Sequence, residues 1–222
     1  MDRSREIGAV ILDLDGVITD TAEYHFHAWQ RVAEEEGITF TREDNEALRG
    51  VSRRQSLELL LGEHIERYGE DTLEEIMDRK NRYYRNSLEQ ITPADFLEGA
   101  PALLAAIRSR GLKMAIGSAS KNTRIVLQRL GIIEAFDVIA DGYSVERTKP
   151  APDLFLYAAE QMGVRPGQCI VIEDAASGVT AALAAEMVAV GVGPEERVGH
   201  AHYRYDTIAA VDLDEILDDL AQ

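Results

Sequence analysis

Apolar residues gather along the chain in five short runs, Ala9 to Leu14, Leu112 to Ile116, Val138 to Ala140, Ile170 to Ile172 and Met187 to Val192, each of the length of a buried strand. Beyond the second run, amphipathic patterns of helical period separate them: Asn122 to Leu130, Pro152 to Met162 and Ala175 to Ala185. Strands alternating with helices of ordinary length predict right-handed βαβ units. The expected fold class is α/β, a doubly wound parallel sheet of Rossmann-like design.

The first two strands lie too far apart for one crossover helix, so an inserted domain is expected between them. The boundaries are 1–19 with 93–222 for the catalytic core and 20–92 for the insert, which reads as all helix. Thr21 to Glu36 places Ala22, His25, Phe26, Trp29, Val32 and Ala33 on one helical face, and a short helix is expected from about Arg42 to Leu48. Ser52-Arg53-Arg54-Gln55 and Thr72-Leu73-Glu74-Glu75 read as capping-box starts of two more helices. Gly16 marks the exit from the first strand, and Pro93 with Gly99-Ala100-Pro101 the return to the core. Two crossings lying close together can act as a hinge. The acidic end, Val211 to Leu220, reads as an amphipathic terminal helix.

Charge narrows the partners. The 23 Lys+Arg against 40 Asp+Glu give a formal net charge of -17, which opposes binding to nucleic acid or to an anionic membrane surface. No apolar run approaches the roughly 18 residues of a membrane span, and Met1 to Glu6 carry no apolar export signal, so a cytoplasmic protein is expected. Cys169 is the single cysteine, beside an apolar run, and reads as a buried small hydrophobe rather than a nucleophile.

Ligands of open α/β sheets collect beyond the carboxyl ends of the strands. Those ends are Asp13-Leu14-Asp15-Gly16, Gly117-Ser118-Ala119-Ser120 and Glu173-Asp174, with Lys149-Pro150 in the loop after the third strand. Carboxylates brought together require a cation, and hard oxygen donors beside a phosphate favour Mg²⁺, whereas no His or Cys cluster has zinc-ligand spacing. A carboxylate held by a cation and a lysine can attack phosphorus, which makes Asp13 the candidate nucleophile. Asp15, two residues on and released by the Gly16 turn, suits a general acid and base. Ser118 precedes a helix whose free N–H groups can hold phosphate oxygens. Read singly, each has an ordinary alternative: a turn aspartate, an N-cap serine, a solvated lysine, a charge pair at a helix start.

Asp13-Leu14-Asp15-Gly16-Val17, Ser118, Lys149-Pro150 and Glu173-Asp174, in that order, resemble the four motifs of the haloacid dehalogenase superfamily of phosphotransferases, and the helical insert resembles one of its cap types. Within it, Ile18 to His25 with Ala28-Trp29, Gly50-Val51-Ser52-Arg53, Arg79-Lys80-Asn81 and Ser118-Ala119-Ser120-Lys121-Asn122 resemble the β-phosphoglucomutase family. The resemblance implies a phosphorylated Asp13, Asp15 as acid and base, and Mg²⁺ held by Asp13, the Asp15 carbonyl and Asp174 with support from Glu173. It further implies that Ser118, Ala119 and Lys149 hold the transferring phosphoryl group, and Arg53, Ser120, Lys121 and Asn122 the distal phosphate. Thr21, His25, Trp29, Gly50, Val51, Ser52 and Lys80 would form the sugar pocket and cap coupling. Trp29 and His25, read without the resemblance, are cap core and a satisfied interfacial histidine. Arg49 stands where related enzymes carry lysine, which keeps the charge but replaces a point charge by a planar fork.

The implied reaction interconverts β-D-glucose 1-phosphate and glucose 6-phosphate by way of a phosphoaspartate and glucose 1,6-bisphosphate, the latter also priming the enzyme. The expected partner is a small sugar phosphate and the expected assembly a monomer. A capped sugar-phosphate phosphatase shares the core motifs and is the alternative; a phospho-acceptor signalling domain fits the sheet-end residues but not the large insert.

Overall fold

The computed structural model describes residues 6–222; residues 1–5, part of the expected core segment 1–19, lie outside them. Six parallel strands form one sheet in the order β3-β2-β1-β4-β5-β6: β1 Ala9–Leu12, β2 Lys113–Gly117, β3 Val138–Ala140, β4 Cys169–Glu173, β5 Val188–Val192 and β6 Tyr203–Tyr205. The five expected runs each supply one strand. The sixth was not expected, because Tyr203-Arg204-Tyr205 is a short, half-buried edge segment with no apolar run to reveal it.

Helices cover both faces, which is why the central strands are buried on both sides. On one face Val10 and Leu12 of β1 pack with α5 (Ala100–Ser109), α6 (Thr123–Arg129) and α10 (Leu213–Leu220). On the other, Ala9 and Ile11 meet α7 (Asp153–Met162) and α8 (Ala176–Ala184). A short helix, α9 (Glu195–Val198), follows β5. Gly99-Ala100-Pro101, the expected mark of the return to the core, opens α5, with Gly99 as its left-handed N-cap and Pro101 in its first turn.

Between β1 and β2 the chain builds α1 (Ala22–Glu35), α2 (Arg42–Glu46), α3 (Arg53–Leu61) and α4 (Glu70–Leu88), packed around Trp29, Val32, Leu57, Leu61 and Ile76. Ser52 caps α3 by accepting from the Gln55 N–H at 3.2 Å. The capping box expected at Thr72 is not formed: α4 starts two residues earlier at Glu70, behind Gly69. Glu70 and Asp71 place negative charge in the first turn, which stabilises that start without a side-chain cap. Exit and return lie side by side: Thr19 pairs with Phe96, its hydroxyl donates to the Asp95 carbonyl at 2.6 Å, and the Leu97 N–H donates to the Ile18 carbonyl at 2.9 Å.

Candidate active site

β1 ends one residue before Asp13, whose N–H donates to the Ile172 carbonyl of β4 at 3.0 Å and so fixes its carboxylate beside the end of that strand. Gly16 turns the chain with φ of 79°, and a Cβ there would stand 2.3 Å from the Asp174 carboxyl carbon, so only glycine lets this turn pack on β4. Asp13, Glu173 and Asp174 thereby each present a buried carboxylate oxygen within 4.8 Å of the others. Lys149 is fully buried and donates from Nζ to Asp13 Oδ1 at 2.7 Å and to Glu173 Oε1.

Burial alone would drive the proton from Lys149, but the Asp13 and Glu173 charges outweigh it and raise the ammonium above its ordinary range. One ammonium does not neutralise three carboxylates. Burial pushes Glu173 up to about 8 against the pull of Lys149, and burial with the Asp13 charge pushes Asp174 up to about 7. All donors are hard oxygens, and among the described residues no His or Cys joins them. The cluster therefore fits a small divalent cation such as Mg²⁺ and no softer metal.

Asp15 accepts from the Thr21 hydroxyl, which lies 3.0 Å from Tyr84 Oη. Burial, then the Asp13 charge, raises Asp15 to about 7, so its carboxyl can carry or release a proton at neutral pH.

A cavity of about 650 Å³ opens from Asp13, Asp15 and Asp174 toward α1, α3 and α4. Ser118, Ala119, Ser120, Lys121 and Asn122 form its wall after β2; Arg49, Gly50, Val51, Ser52 and Arg53 form the opposing wall, with His25, Trp29 and Lys80 between. Thr21, Lys149 and Glu173 do not line it and stand behind the residues that do. Trp29 belongs to the core of the helical segment and also lines the cavity.

Two contacts behind this wall go beyond the sequence, in which Asn81 stands out only within Arg79-Lys80-Asn81 and Arg197 is not singled out. Asn81 Oδ1 accepts from Arg53 Nη2 and from Asn122 Nδ2, both at 2.9 Å, joining α3, α4 and the N-terminus of α6. Arg197 of α9 comes within 3.5 Å of Glu46 and 3.9 Å of Asp174, the same two carboxylates that Arg49 holds at 3.1 and 2.9 Å. Neither contact could be read locally, because each joins segments distant in sequence. Lys80 Nζ lies 2.7 Å from His25 Nδ1, and burial together with nearby cations holds both groups well below their ordinary pKa values. Gly50, at φ of 70°, brings this loop against α8, where a Cβ would meet Ser177 Oγ at 2.7 Å.

Residues 7–186 match the family described as haloacid dehalogenase-like hydrolase. The chain is 46% identical to β-phosphoglucomutase of Bacillus subtilis over 83% of each chain, and 31% identical to the phosphorylated carbohydrates phosphatase of Thermotoga maritima over 96% of this chain and 98% of that one. Its structure superposes on a solved β-phosphoglucomutase from Clostridium difficile with a TM-score of 0.93 at 39% identity, covering 96% of this chain and 97% of the other.

Proposed function

The chain belongs to the haloacid dehalogenase-like hydrolase family, and from that premise we propose that it interconverts β-D-glucose 1-phosphate and glucose 6-phosphate through a phosphorylated Asp13 and β-glucose 1,6-bisphosphate. The observation that carries this reading is the presence of two phosphate-competent regions in one cavity. One is Asp13 with Ser118 and Ala119, backed by the buried Lys149 behind the wall; the other is Arg53 with Ser120, Lys121 and Asn122. A bisphosphate intermediate needs both at once, and a simple hydrolase needs only the first.

In this reading Lys149 holds Asp13 Oδ1, and the other carboxylate oxygen attacks the phosphorus. Asp15 gives its proton to the departing sugar oxygen in one half-reaction and takes one from the attacking hydroxyl in the other, a role suited to a group titrating near 7. Thr21 orients that carboxyl by donating to Oδ1. Bound by Asp13, Asp174 and the Asp15 carbonyl, with Glu173 in support, Mg²⁺ would supply neutralising charge for the phosphoryl oxygens. Ser118 and the Ala119 N–H would hold those oxygens in line.

Segment 20–92 serves as a cap over the core formed by 1–19 and 93–222, with the Thr19 and Phe96 pairing as its hinge. Arg49, Gly50, Val51 and Ser52 close it on the core, while His25, Trp29 and Lys80 face the sugar. Every group belongs to one chain, so a monomer suffices, and free sugar phosphates suit a cytoplasmic setting. No helix among the described residues is long and apolar enough to cross a membrane.

The test supplies Mg²⁺, β-glucose 1-phosphate and a trace of glucose 1,6-bisphosphate, and follows glucose 6-phosphate and free phosphate together. Isomerisation with little free phosphate is expected, and Asp13→Ala should abolish it. Phosphate release without isomerisation would move the protein toward the reading suggested by its Thermotoga relative.

A further inference from the structure

A second cavity lies outside this site, on the far stretch of the seam where α4 packs against α6. Its volume is about 290 Å³, and Arg82 and Arg85 of α4 face Arg129 of α6 around it, with Ile125 on its apolar side. What distinguishes it is three arginines lining one pocket without a carboxylate partner; Arg53, Arg67, Arg108 and Arg165 also lack one but do not line it. Ten other arginines of the described residues pair with carboxylates, as 40 Asp+Glu make easy. Arg82 and Arg85 make no side-chain hydrogen bond or ion pair, and Arg129 only a 3.4 Å bond to the Glu89 carbonyl. Glu89 borders the cavity, and its carboxylate forms no ion pair with any of the three.

All three arginines are exposed, so each is solvated when the pocket is empty, but lining one concavity they raise its positive potential, and their planar forks match phosphate oxygens two at a time. The volume is several times the roughly 30 Å³ of one water, at the lower end of ligand cavities, and so suits a phosphate carried on a few carbons rather than a nucleotide. We propose that Arg82, Arg85 and Arg129 form a second anion site for a small phosphorylated metabolite, separate from the catalytic cavity. A bound anion would tie α4 to α6. Asn81, one residue before Arg82, makes the hydrogen bond to Asn122 that joins the same two helices at the catalytic end, so occupancy would reach the mutual position of cap and core.

The experiment follows the guanidinium Nε–H signals of Arg82, Arg85 and Arg129 by NMR in the ¹⁵N-labelled full chain, without added metal, during titration with inorganic phosphate against sodium chloride of equal ionic strength. The three signals are expected to saturate together with one dissociation constant, distinct from that of Arg53 in the catalytic cavity. Arg85→Gln, which breaks no hydrogen bond or ion pair, should weaken that response at least tenfold and leave the Arg53 response unchanged; Arg129→Gln tests the opposite wall in the same way. Shifts no larger than with chloride, or a saturable response that survives both substitutions, would overturn the proposal, and neither result bears on whether the protein is a mutase.

Discussion

Arg49 Nη1 stands 2.9 Å from Asp174 Oδ2, joining the loop after α2 to the carboxylate at the end of β4. Its Nε lies 3.1 Å from Glu46, so one planar group spans two carboxylates, and Arg197 approaches both from the core side. The arrangement bridges helical segment and core at the edge of the cavity. Arg49→Ala should raise KM for the sugar phosphate about tenfold, on the order of 1.4 kcal/mol, and increase the free phosphate released per turnover as water enters. Arg49→Lys should fall between, because an ammonium has no fork with which to span both partners. Steady-state kinetics with both products measured checks this; an unchanged KM and product ratio in Arg49→Ala would rule the bridge out as a closure device.

Lys149 is enclosed by two carboxylates and no solvent. Removing it leaves Asp13 and Glu173 facing each other in a buried site, so Lys149→Ala should lower unfolding free energy by about 3–5 kcal/mol in metal-free protein. Added Mg²⁺ should recover part of that loss by supplying the missing positive charge. Urea melts with and without Mg²⁺ read both effects. A metal-free loss below about 1 kcal/mol would mean the carboxylates relax apart or take up protons at little cost.

The layout of the core was legible because buried parallel strands announce themselves as apolar runs, and the residues at their ends then fall together by topology: Asp13, Ser118, Lys149 and Asp174 could be gathered before any coordinates. What could not be read depends on contacts across segments or on weak local signal. Tyr203-Arg204-Tyr205 is too short and polar to stand out, and Gly69 gives way to α4 without a capping side chain. Asn81 is visible as part of Arg79-Lys80-Asn81, but its role as a shared acceptor appears only when Arg53 and Asn122 are seen to converge on it. Arg197 lies in a four-residue helix with no pattern to mark it.

Protons compete with Mg²⁺ for the carboxylate cluster. Metal-free Glu173 and Asp174, raised to about 8 and about 7, are largely protonated below those values, and the metal must displace those protons. Affinity for Mg²⁺ should therefore be highest above pH 8 and fall as pH drops through 8 and then 7. Proton release on binding should be substantial at pH 6.5 and vanish near pH 9. Calorimetric titration in buffers of different ionisation enthalpy measures both; affinity and proton release that stay flat between pH 6.5 and 9 would show the carboxylates to be ionised before metal arrives.

Asn81 separates phosphate binding from phosphoryl transfer. Its Oδ1 restrains Arg53 Nη2 and Asn122 Nδ2, two side chains that line the cavity, and it makes no hydrogen bond to the Asp13 and Lys149 pair. Asn81→Ala releases both donors and removes no hydrogen bond from that pair. Phosphorylation of Asp13 by a small acyl phosphate should proceed at the wild-type rate, whereas KM for glucose 1,6-bisphosphate should rise about tenfold to a hundredfold, the loss of two restrained, partly charged hydrogen bonds. Asn81→Asp should leave Arg53 held by a stronger, ionic contact but repel a phosphate nearby, so it should be worse than alanine. Quenched-flow labelling of the phosphoenzyme beside steady-state kinetics gives both quantities. Equal losses in the two assays would mean that Asn81 supports the fold of the whole cavity rather than Arg53 and Asn122 alone, and the assignment of two phosphate regions would lose its main geometric support.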